Sequence, residues 1–146
     1  MELLKSLQIS AAGMVAERTR LEIVSANIAN ANSTRSADGS GAYKRRLPVV
    51  ESETFDRVFT REMARFEDQE VKVPNVVDVK TDSTPGPTVY DPTHPDANSD
   101  GYVTMPNVNI VAEMVDMMNA SRAYEANLNA IDASKDMTLK SLELGR

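Results

Sequence analysis

Residues 107–145 read NVNIVAEMVDMMNASRAYEANLNAIDASKDMTLKSLELG, and this stretch decides the fold. Asn107 and Asn109 offer side-chain caps to the free amides of a starting helix, and Glu113 and Asp116 suit its positive end. No Gly or Pro then occurs up to Leu144. Met114, Met117, Ser121, Tyr124, Leu128, Ile131, Lys135, Thr138 and Leu142 alternate in steps of three and four, the pattern of a heptad seam. Ala120, Ala123, Ala126, Ala130 and Ala133 raise helix propensity and keep the surface thin, and Gly145 stands where the helix should stop. The spacing predicts one long helix within 106–146.

The opposite end of the chain carries a matching signal. Between Leu4 and Ala31 no Pro intervenes. Leu4, Leu7, Ala11, Met14, Leu21, Ser25 and Ile28 recur at the same spacing and present one seam. Arg18 falls inside that stripe and Gly13 beside it, each a local weakness. A helix of this length extends roughly 40 Å, too far to be covered by a small middle region, so it requires a partner helix. The expected fold is therefore mainly α. Long N- and C-terminal helices pair as a coiled coil, and a helical core from residues 1–33 and 106–146 flanks a central segment, 34–105.

That central segment is punctuated at 36–41, Pro74, 85–87 and 91–101 by Gly, Pro, Asp and Ser. Leu47 to Val50, Val71 to Val73, Val76 to Val79 and Val89-Tyr90 have the β-branched character of short strands. Phe55, Val58, Phe59, Met63 and Phe66 share one helical face, which predicts a short amphipathic helix over 54–66. No internal repeat is visible.

Composition narrows the function classes. Only 5% of the 146 residues are aromatic, none is Trp, and mean hydropathy is negative. This suits elongated helices packed on partners better than a compact globule. A formal charge of −6 argues against a nucleic-acid partner. Lys44-Arg45-Arg46 is the one dense basic run, read as a solvated lead-in to a strand, with acidic lipid or a partner's carboxylates as the other reading. With no cysteine, disulfide and thiol chemistry are excluded. No run of apolar residues is long enough to span a membrane, and the first residues lack the pattern of a cleaved secretory leader.

Nothing in the sequence carries catalytic chemistry. Asp96 to Gly101 matches the opening half of a calcium loop, but the twelfth position is Asn107 instead of the required Glu, so a turn is the better reading. His94, the sole histidine, has only Asp91 and Asp96 as close acidic neighbours, too few for a zinc site. No nucleophile elbow or phosphate loop occurs. No cofactor is expected, and the chain is expected not to be an enzyme.

Two patterns go beyond architecture. One is Ser25-Ala26-Asn27-Ile28-Ala29-Asn30-Ala31-Asn32. The other runs from Val89-Tyr90-Asp91-Pro92 through His94-Pro95-Asp96-Ala97 to Gly101-Tyr102-Val103-Thr104-Met105-Pro106-Asn107-Val108-Asn109. Together they resemble the axial proteins of the bacterial flagellum, rod and hook proteins alike. The second pattern, the short length and the ending from Lys135 to Gly145 are similar to the proximal-rod family of FlgC type. The similarity is strongest over 1–34 and 88–145.

The resemblance implies a structural subunit that stacks helically through its terminal helices, located in the periplasmic rod of the basal body and forming part of the drive shaft and export channel wall. It further implies delivery by the flagellar type III export apparatus without a cleaved signal. The implied partners are other rod proteins, the MS ring, the rod-adaptor protein and copies of the chain itself. The residues carrying the family pattern are Ser25, Asn27, Ile28, Asn30, Tyr90, Pro92, Gly101, Tyr102, Pro106 and Asn107. Asn is a poor helix-interior residue. Asn27 and Asn30 are therefore read as hydrogen-bonders at a crowded junction, with simple helix termination as the other reading. Met114, Met117 and Met118 form an adaptable patch that serves a core, a neighbour or both. A small coiled-coil adaptor or secretion chaperone is the alternative function.

Overall fold

A computed structural model describes residues 2–36, 39, 41–54 and 72–144. The chain begins with helix α1 (Glu2–Ala29), passes through strands β1 (Arg46–Thr54), β2 (Lys72–Thr81), β3 (Thr88–Tyr90) and β4 (Tyr102–Thr104), and ends with helix α2 (Ile110–Leu144). β1 pairs with β2 and β3 with β4, each pair a two-stranded sheet. Helices at both ends with short strands between them agree with the sequence. The expected helix over 54–66 lies outside the described residues apart from Thr54, which closes β1.

Two boundaries differ from expectation. Val73 and the Val76 to Val79 run belong to one strand that continues through Pro74. A strand in a two-stranded sheet has an open edge where a missing N–H costs no ladder bond, so Pro74 does not interrupt it. The start of α2 is capped by Asn109 alone, whose Oδ1 accepts the N–H groups of Val111 at 3.0 Å and Ala112 at 3.2 Å. Asn107 is engaged elsewhere.

The chain divides into two compact units. The first combines residues 1–19, 49–78 and 119–146. In it Ser6 and Ser134 bring their hydroxyls to 3.5 Å. Gly13, buried, lies so close to Asn127 that a Cβ on it would come within 2.8 Å of the amide nitrogen. Gly13 thus marks a close approach of α1 and α2, where any side chain would have to displace the Asn127 amide. On the helices the buried positions of this unit are small, Ser10 and Ala16 on α1 and Ala120 and Ser134 on α2, and β2 adds Val73. Tyr124, Asn127, Ile131 and Thr138 are half-buried and continue the α2 line in steps of three and four.

The second unit combines residues 20–48 and 79–118. Its core holds Ile23, Val24, Ala31, Tyr43 and Val103, together with two polar side chains that are almost wholly enclosed, Asn27 and Glu113. Strands β3 and β4 run antiparallel with Thr88 opposite Thr104, Val89 opposite Val103 and Tyr90 opposite Tyr102. Alternation along β4 buries Val103 and exposes Tyr102 and Thr104.

Candidate functional site

The centre of the second unit is a polar junction built where the end of α1, the segment 43–46 and the first turn of α2 meet. Asn27 and Glu113 each keep only 1% of their surface exposed. The Asn27 amide donates to the Arg46 carbonyl at 2.8 Å and to Glu113 Oε2 at 3.0 Å. Its oxygen accepts the Tyr43 hydroxyl and the Arg46 N–H, both at 2.9 Å. An amide has two donors and two acceptor lone pairs, so Asn27 is saturated within the chain.

Glu113 lies in the first turn of α2, where the helix's positive end favours a carboxylate. Its other oxygen accepts from Arg45 Nε at 2.6 Å. Arg45 also faces Asp116 at 3.5 Å, and Asp116 faces Arg20 at 3.5 Å. The Arg45 N–H is held by Asn107 Oδ1 at 2.8 Å, and the Asn107 amide reaches the Asp82 carbonyl at 3.4 Å. The Tyr43 N–H donates to the Ser33 carbonyl at 3.0 Å, and the Arg46 guanidinium lies 5.8 Å from the Tyr43 ring centroid. Burial pushes the Tyr43 hydroxyl above its ordinary value; the Arg46 charge opposes that shift and the Glu113 charge adds to it.

Sequence reasoning located part of this junction. Asn27 was singled out with Asn30, but their roles diverge. Asn30 is half-buried, donates to the Ala26 carbonyl at 2.9 Å and accepts the Ser33 hydroxyl at 3.1 Å, closing its own helix. Arg45 corrects the reading of Lys44-Arg45-Arg46 as a solvated run: its flanking residues are exposed, but Arg45 itself pairs inward. Tyr43 was missed because a lone aromatic in a Gly- and Ser-rich loop carries no periodic signal. For Glu113 the signal was its place four residues after Asn109, the second of two possible caps.

The second motif forms the β3–β4 hairpin. Tyr90 and Tyr102 are exposed and meet edge to face with centroids 5.2 Å apart. Gly101 is buried at φ +81°, where a Cβ would meet Tyr90 Cε2 at 2.9 Å and Pro92 Cβ at 3.3 Å. Asp91 accepts the Thr93 hydroxyl at 2.7 Å and the Thr93 N–H at 3.0 Å, which hold its carboxyl below the usual range. Asn98 Oδ1 accepts the N–H groups of Tyr102 and Asp100 at 2.8 and 3.0 Å. Asp96 is occupied by Thr34 at 2.8 Å and Arg35 at 2.7 Å. His94 Nδ1 accepts the Asp96 N–H at 3.1 Å. Among the described residues no group of three His, Cys, Asp or Glu side chains is placed to hold a metal ion. Pro106 is buried and Pro92 exposed.

The predicted seam residues distribute differently from the buried ones. Leu7, Met14, Leu21, Ile28, Met117, Tyr124 and Ile131 are half-buried, whereas Leu4, Ala11, Ser25, Met114, Leu128 and Leu142 are exposed. On α2 three members of the expected seam are displaced by one residue. Glu113, Ala120 and Ser134 are buried where Met114, Ser121 and Lys135 were expected. What the geometry can do is tie segments together and present apolar helix faces outward.

Comparison with known proteins places this arrangement. Residues 7–35 match the family model described as flagella basal body rod protein, and residues 99–144 match that described as flagellar basal body rod FlgEFG protein C-terminal. Both matched segments contribute to the junction. The chain is 38% identical to the flagellar basal-body rod protein FlgC of Bacillus subtilis, with 97% of each chain covered. It is 39% identical to FlgC of Borreliella burgdorferi, over 99% of this chain and 98% of the relative. The chain belongs to the FlgC family of flagellar basal-body rod proteins. With FlgC of Salmonella typhimurium the identity is 36% over the full length of both. The family's relatives are structural rod proteins, and no helix among the described residues is long and apolar enough to cross a membrane.

Proposed function

We propose that this chain is a structural subunit of the proximal rod of the bacterial flagellar basal body, in which α1 and α2 pair as a coiled coil and stack helically with neighbouring subunits. In this reading residues 1–33 and 106–146 form the helical core of the rod wall, and residues 34–105 lie outside it. The observation that carries the reading is the distribution of bulk along the helices. Where the helices belong to the first unit their buried positions are small or polar (Ser10, Ala16, Ala120 and Ser134), while Leu4 and Val15 on α1 (each 65% exposed) and Val111 and Leu142 on α2 (71% and 67%) point to solvent. Covering one such side chain is worth about 1.5–3 kcal/mol, so neighbours that bury several gain much from the contact. Successive contacts are heterologous and extend instead of closing into a dimer.

In this reading the partners are other rod proteins, the MS ring, the rod adaptor, copies of the chain and the type III export apparatus, which delivers the chain to the periplasmic rod. Placing Asp at Met114 and Leu128, both exposed, should leave expression and intramolecular folding intact and abolish recovery of the chain in purified basal bodies. Normal incorporation would contradict the reading. The alternative, a small coiled-coil adaptor or secretion chaperone, predicts a wild-type chain absent from purified basal bodies.

A further inference from the structure

We infer that the segment Tyr43–Arg46 is a polar strap that fixes the register of the end of α1 against the beginning of α2, with Asn27 and Glu113 as the paired key. This concerns the fold of the single chain and stands whether or not the rod reading does. Three segments must be present together to complete the junction. Asn27 comes from α1, Glu113 from α2, and the strap supplies the Tyr43 hydroxyl, both backbone groups of Arg46 and the Arg45 guanidinium. Asn107, at the approach to α2, fastens the strap from the other side through the Arg45 N–H.

Apolar packing supplies little register information on the α2 side of this unit. Val111, Met114, Val115 and Met118 are all exposed, and Glu113 is the residue that α2 buries most deeply there. Sliding α2 by one turn brings Met117 or Asn109 opposite Asn27. A thioether is only a weak acceptor, and Asn109 offers Arg45 no charge. Sliding α1 brings Ile23 or Ala31 against the Glu113 carboxylate. Each slip leaves a buried charge or a buried amide without partners, the situation that makes a single buried polar pair select one alignment. The geometry leaves the outward apolar faces of both helices uninvolved in alignment.

The chain has no cysteine, so a pair of nitroxide labels reports register without background. Ser25→Cys and Ala112→Cys place the labels on exposed positions of α1 and α2. In the full chain, pulsed electron spin resonance should give one narrow distance. Combining Asn27→Leu with Glu113→Leu should keep the helical circular dichroism and lose the single distance to a multi-peaked distribution. A single distance retained in that helical variant overturns the inference, as does a parent chain without one. If the double variant loses helix, Tyr43→Phe decides, since it deletes one hydroxyl. A broadened distribution then supports the strap, and an unchanged one overturns it.

Discussion

Replacing Asn27 by Ala removes four hydrogen bonds at once and leaves the Glu113 carboxylate and the Tyr43 hydroxyl enclosed. The contact to the Glu113 carboxylate is charge-assisted, worth about 1.5–3 kcal/mol, and the other three are neutral, near 1 kcal/mol each. These terms are not additive, because the freed Tyr43 hydroxyl and Arg46 backbone can relax together. Ala also gains up to about 0.7 kcal/mol of helix propensity. A net loss of about 3–5 kcal/mol remains, since the Tyr43 hydroxyl and the Glu113 carboxylate are left buried and short of a partner. The control is Asn30→Ala, five residues after the start of the same motif, where a half-buried side chain makes only local bonds to Ala26 and Ser33; its loss should be about 1 kcal/mol. Urea unfolding followed by circular dichroism separates the two. With a slope of about 1–3 kcal/mol per molar, the Asn27→Ala midpoint should fall by roughly 2 M and the Asn30→Ala midpoint by well under half of that. Equal midpoints for the two variants would refute the reasoning, because the amides would then not differ in what they hold.

Gly86→Ala drives a Cβ into the Met105 carbonyl oxygen, a backbone collision that no side-chain motion relieves. It should cost more than about 2 kcal/mol and abolish the β3–β4 cross-strand contacts in nuclear Overhauser spectra. Gly41→Ala, at φ +100° but facing open space, should cost about 1–2 kcal/mol and leave the hairpin intact. The Asp91 carboxyl is held below its ordinary value of 3.8, first by the Thr93 hydroxyl and then by the Thr93 N–H. A depressed carboxylate contributes stability that is present above its ordinary value and lost as pH falls through the lower folded one. Thr93→Val should therefore raise the Asp91 titration midpoint, read from side-chain carbonyl shifts, and weaken the acid dependence of hairpin stability.

The two helices and most strands are legible in the sequence because their signals are periodic: three and four for α1 and α2, β-branching for β1 and β2. The rotation of the helices is not. Leu4, Met114 and Leu128 make the more hydrophobic stripe, and the rule that apolar residues face inward assigned them to the intramolecular seam. On the two helices the enclosed side chains are instead Ser10, Ala16, Ala120 and Ser134 in the first unit and Ile23, Val24, Asn27 and Glu113 in the second. The rule describes burial in a finished environment, and a subunit whose environment includes neighbours satisfies it only in part. The junction was half legible. Asn27 stood out as an amide in a helix interior, yet nothing local distinguished it from Asn30, because their difference lies in partners 16 and 86 residues away. Pro74 misled for a related reason: its meaning depends on which edge of β2 is paired.

The density map of an assembled basal body containing this chain tests the outward-face reading most directly. Leu4, Val15, Val111 and Leu142 should each lie against a side chain of a neighbouring subunit, with Asn27 and Glu113 still bonded to each other inside one copy. Those four side chains left facing water in the assembled rod, with neighbours seated on the polar junction instead, would contradict it.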